Sequence, residues 1–222
     1  MAVKVEKAEY QDVRDEMRPG DVIAFSGKGN FSDLIRFATA STVSHVGVIL
    51  HTKIPTDTHE RYFNQIIESA TIRNYAGVHI SRMSDRLKEY DGEIWWLPLS
   101  DEVRNSRFNA VKFYEFLFQA EGKKYDTLQA LKAGTDWFDS WKIFGKGGPG
   151  YNEEDFGKFF CSELVAGGLE AAGSVGNINA SEVTPIDLCR WNIYSGKYYQ
   201  LKGDVTNITR YNTADPNNWG FI

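Results

Sequence analysis

"FGKFFCSELVAGGLEAAG", residues 156–173, carries one of only two cysteines in the chain, and its reading decides the fold. Cys161, Leu164, Val165, Gly168, Leu169 and Ala172 recur at helical spacing, which predicts a helix over 159–172 stopped by Gly173. Cys161 lies on the packed stripe of that helix, which suits a small inert hydrophobe. It also falls in the first predicted turn. There the helix dipole favours a thiolate, and free N–H groups can hold an oxyanion. The residues alone leave both readings open. Cys189 sits near the end of a short helix and gains neither effect.

A nucleophilic thiol needs a base. The chain offers His45, His51, His59 and His79. His59 lies in a polar loop, "KIPTDTHERY" (53–62), and reads as a solvated side chain. His45 and His51 flank the β-branched stretch "SHVGVILHT" (44–52) on one face, roughly 20 Å apart, so at most one of them serves a given thiol. His79 lies on the shorter stretch "GVHISRM" (77–83). If 44–52 pairs antiparallel with "FNQIIESA" (63–70) across a symmetric turn, His45 opposes Glu68 and His51 opposes Tyr62. Glu68 would then orient the imidazole. A slip of one residue would turn it to the other face.

The remaining segments fill in an α+β pattern, strand-rich first and helix-rich later. "RPGDVIAF" (18–25) reads as a turn into a strand, "NFSDLIRFATAS" (30–41) as a short amphipathic helix, and "EIWWLPL" (93–99) as a strand. "SDEVRNSRFNAVKFYEFLFQAEG" (100–122) reads as one helix capped by Ser100 and stopped at Gly122. "YDTLQALKAGTDWFDSW" (125–141) reads as helical, and 142–158 as a Gly-rich loop. "TPIDLCRW" (184–191) is a helical turn capped by Thr184, and "KYYQLKG" and "NITRYN" are late strands or edges. Residues 1–17 form an arm or short helix, and 1–222 read as a single domain.

The 222 residues carry a net charge of −5 and no Lys/Arg run longer than two, which argues against nucleic acid or a polybasic membrane anchor as partner. No apolar stretch approaches a membrane span and the charged N-terminus has no export-signal core, so the cytoplasm is the expected location. Free thiols are expected there. With no C-x-x-C and no H-E-x-x-H, neither a structural metal nor any other cofactor is expected.

The series "RPGDVIAF … SHVGVIL … IIESA … GKKYD … FFCSELV … TPIDL" resembles the circularly permuted papain-like hydrolases related to the NlpC cell-wall peptidases. Within them it is most similar to the YiiX/YaeF-type group. The histidine strand precedes the cysteine helix by about 115 residues, which is the permuted order. The resemblance covers roughly residues 18–190. It implies a small antiparallel sheet packed against the N-terminal end of the cysteine helix. It implies Cys161 as nucleophile, His45 as base and Glu68 as the group orienting the histidine. Tyr125, in G-x-x-Y, would line the site and assist the Cys161 N–H at the oxyanion. The implied activity is hydrolysis of an amide through an acyl-enzyme, in a peptide, an amino-acid-containing compound or a cell-wall fragment. Two alternatives share the fold. One is a lipid-directed acyltransferase or esterase of the lecithin:retinol acyltransferase type, whose N-C-E-H differs from F-C-S-E here. The other is a non-catalytic ligand-binding module.

Overall fold

The computed structural model describes residues 3, 5–27, 42–57, 61–72, 75–123 and 153–221, with 153–160 in backbone only. The expected helices over 30–41 and 125–141, His59, Tyr125 and the loop residues 142–152 lie outside the described residues.

The architecture is α+β, built on a mixed seven-stranded sheet of order β1-β7-β6-β2-β3-β4-β5. The strands are β1 (Val5–Lys7), β2 (Val22–Gly27), β3 (His45–Pro55), β4 (Tyr62–Ile72), β5 (Tyr75–Arg82), β6 (Gly92–Leu97) and β7 (Tyr198–Lys202). Only the β1–β7 pair is parallel. β2 is central and buried along its whole length, so its alternate residues feed two cores. Val22 and Ala24 join Val46, Val48, Ile67 and Trp95 on one face. Ile23 and Phe25 join Ile49, Ile66, Met83 and Trp96 on the other.

Helices cover both faces. α1 (Tyr10–Val13) and α2 (Met83–Glu89) supply Tyr10, Val13 and Met83 to the Phe25 face. α3 (Asp101–Ser106), α4 (Ala110–Ala120), α5 (Glu153–Ala171) and α6 (Pro185–Arg190) contribute to the Val46 face. α4 and α5 pack closely because Gly167 leaves room: a β-carbon there would stand 2.6 Å from the Phe116 ring.

Local sequence signals explain most element ends. The Ser100 side chain accepts from the Val103 N–H at 3.2 Å. Gly122 and Gly173 close their helices in the left-handed region, with φ of 68° and 74°. Thr184 and Asp187 form a reciprocal capping box at α6. "RPGD" is architectural: buried Asp21 accepts from the Arg18 and Leu99 N–H groups and from Trp96 Nε1, and pairs with Arg104.

Four expectations are corrected. Residues 100–122 form two helices, because Asn109 caps a second start by accepting from the Lys112 N–H. β3 runs on to Pro55, through what reads as loop. "NITRYN" forms turns rather than a strand, with Arg210 and Asn212 at positive φ. The cysteine helix begins at Glu153, so 153–158 is helical and Cys161 is its ninth residue, well past the first turn.

Candidate functional site

The site is assembled where β3 begins. His45 is the first residue of β3 and 8% exposed. Alternation places it with Gly47 and Ile49 on the Phe25 face, and its ring lies 5.2 Å from that of Phe25. Cys161 is fully buried and belongs to the core of the opposite face, with Val46 and Val48. The thiol nevertheless hydrogen-bonds the imidazole. The two groups therefore meet at the end of β3, from opposite sides of the sheet.

Glu68 completes the line by a route other than the expected register. Val48 pairs with Ile67 rather than with Gln65, a displacement of two residues. An even displacement keeps every side chain on its face. Continued by one residue, the register puts Glu68 opposite Gly47, where a β-carbon would stand only 3.1 Å from Glu68 Cβ. With hydrogen at that position, Glu68 lies along the strand toward His45. Glu68 Oε2 lies 2.8 Å from His45 Nε2. That contact occupies Nε2 and leaves Nδ1 for the thiol.

No sequence motif singles out Arg86. It sits on α2 and forks onto Glu68, with Nε 2.5 Å from Oε1 and Nη2 3.0 Å from Oε2. Its guanidinium lies 5.6 Å from the ring centroids of both Phe25 and Tyr90. Tyr90 follows α2, hydrogen-bonds Ser44 through its hydroxyl and lies within electrostatic reach of Glu68 and Cys161. Burial holds its phenol above the usual range, so it stays a neutral donor.

The charges sit in a sequence of alternating sign. Burial works against a charged imidazole, but the thiol and Glu68 outweigh it and raise His45 to about 9. Burial also works against the Glu68 carboxylate, but His45 and Arg86 overcome it and hold the group down to about 2. At neutral pH the site therefore holds an imidazolium between the thiol and a carboxylate backed by a guanidinium.

The other histidines stand apart. A register shift between Ile49 and His51 turns His51 toward α4, where it stacks on Tyr114 at 4.9 Å. The expected common face of His45 and His51 is thus broken by a bulge. His79 pairs across from Glu68, but its Nε2 lies 3.0 Å from the Tyr75 carbonyl. Cys189 is buried, donates to the Pro185 carbonyl at 3.3 Å, and burial pushes its thiol well up. The Cys161 N–H lies inside α5, where the helical ladder commits it to the carbonyl four residues earlier. It is not the free oxyanion donor expected of a first turn.

Among the described residues, no group of three or more His, Cys, Asp or Glu side chains is placed to hold a metal ion. No described helix is long and apolar enough to cross a membrane. No family model matches this sequence, and no curated protein matches it.

Proposed function

We propose that this protein is a cysteine hydrolase of the permuted papain-like kind, cleaving an amide in a peptide or peptidoglycan-derived substrate. The observation that carries this reading is the Cys161–His45–Glu68 line, with its 2.8 Å contact from Glu68 Oε2 to His45 Nε2. His45 holds the proton of Cys161. The thiolate attacks the carbonyl carbon and forms a tetrahedral intermediate. The intermediate collapses to a thioester as the imidazolium gives its proton to the departing amine. His45 then takes a proton from water, the hydroxide cleaves the thioester, and the acid leaves with the thiol restored. Glu68 holds the imidazole in place throughout.

The test is iodoacetamide at pH 6–7 with adduct mapping. Cys161 is expected to label at least about tenfold faster than Cys189, and His45→Ala to abolish that advantage. Release of an amine from a peptide library, lost in Cys161→Ala, would establish turnover. A second reading is favoured by one observation, the full burial of Cys161. Under it the fold is a non-catalytic module and the same three residues form a polar cluster of the core. Labelling no faster than a free thiol at either cysteine decides for the second reading.

A further inference from the structure

A buried carboxylate beside a histidine loses its counter-charge whenever the histidine loses its proton, unless a permanent cation stands behind it. Glu68 is fully buried. Its Oε2 is shared between His45 Nε2 at 2.8 Å and Arg86 Nη2 at 3.0 Å, while Oε1 takes Arg86 Nε at 2.5 Å. The two N–H donors of a planar guanidinium fix both the position and the plane of the carboxylate, which a single point charge cannot do. The guanidinium itself lies against the Phe25–Tyr90 ring pair, 5.6 Å from each centroid.

We propose that Arg86 is a positioning residue for the Cys161–His45 pair: its fork clamps Glu68 with Oε2 on His45 Nε2, which directs Nδ1 to the thiol. Its consequence for turnover rests on the hydrolase reading; the clamp itself does not. The titratable and charged groups around Glu68 are His45 from β3, His79 from the paired position of β5, Arg86 from α2, Tyr90 just after it, and Cys161 from α5. Arg86 is the one among them that stays cationic at every working pH. When His45 deprotonates above about 9, Arg86 still neutralises the carboxylate.

The experiment follows the Glu68 side-chain carboxyl by carbon NMR in the full chain, alongside the iodoacetamide rate at Cys161. In the wild type, Glu68 is expected to stay ionised well below the ordinary glutamate range. In Arg86→Gln, its titration should move up by more than one pH unit, and Cys161 labelling at pH 7 should slow about tenfold or more. Arg86→Lys keeps the charge without the fork. It should leave Glu68 ionised but recover only part of the labelling rate. An unmoved Glu68 titration in Arg86→Gln overturns the proposal, and so does a wild-type labelling rate in Arg86→Lys. Should Arg86→Gln not fold, Arg86→Lys alone decides by that rate. Failure of the hydrolase reading looks different: wild-type Cys161 labels no faster than a free thiol, while the Glu68 titration still reports the clamp.

Discussion

His45 carries opposite demands: burial disfavours its charge, while the thiol on one nitrogen and Glu68 on the other favour it. The favourable side wins, so the imidazolium persists up to about 9, against an ordinary 6.5. A raised folded-state value contributes stability that is complete below 6.5 and is lost as pH rises through about 9. Glu68 runs the other way. Its stabilisation is present above the ordinary 4.5 and is lost as pH falls through about 2. In Glu68→Gln the imidazolium loses its carboxylate, and the His45 titration followed by NMR should fall from about 9 toward 6.5. An unmoved titration would show that Glu68 does not charge His45. Cys161 and His45 were legible through the S-H-V-G and F-C-S-E-L-V motifs that carry the resemblance, since residue type and spacing alone left the role of the thiol and the choice of histidine open. Arg86 was not, because an arginine on a short polar helix looks like any solvated cation until the fold buries it against a carboxylate.

β3 and β4 work as a pair, and Gly47 is where they depend on a missing side chain. A β-carbon there would stand 2.7 Å from Ile66 Cδ1 and 3.1 Å from Glu68 Cβ. Gly47→Ala should therefore cost about 1–3 kcal/mol by overpacking, read as a lower denaturant midpoint. It should also displace Glu68 and slow Cys161 labelling. A stable variant with normal labelling would mean the strands have slack here. The caps make milder predictions. Thr184→Ala removes the α6 capping box and should cost about 1 kcal/mol with Cys161 chemistry unchanged. Most element ends were legible, since Ser100, Gly122, Gly173 and Thr184 act on their immediate neighbours. The strand register was not. It rests on bulges between Ile49 and His51 and between His51 and Ile54, which no local residue signals.

Across the molecule, Asp21 ties the turn before β2 to the far end of β6 and to α3. It accepts from Arg18, Leu99 and Trp96 and pairs with Arg104, whose side chain is 10% exposed. Asp21→Ala strands that cation and three donors, and should cost about 3–5 kcal/mol in urea unfolding. Because Asp21 belongs to a network separate from Glu68, the His45 titration of the folded variant should match the wild type. A shifted titration would show that the two networks are coupled.

By itself the sequence determined the α+β pattern and the helix stops at Gly122 and Gly173, because each depends on residue type, periodicity or contacts within a few positions, while a resemblance carried by short motifs picked out Cys161 and His45. Only the tertiary structure decided that the cysteine helix begins at Glu153, that Glu68 reaches His45 across Gly47, and that Arg86 backs it. The last two depend on strand register and on the docking of α2, and both follow from side chains packing over long sequence separations. The helix start is set by backbone conformation upstream of the apolar stripe, where the periodicity that marks 159–172 gives no signal.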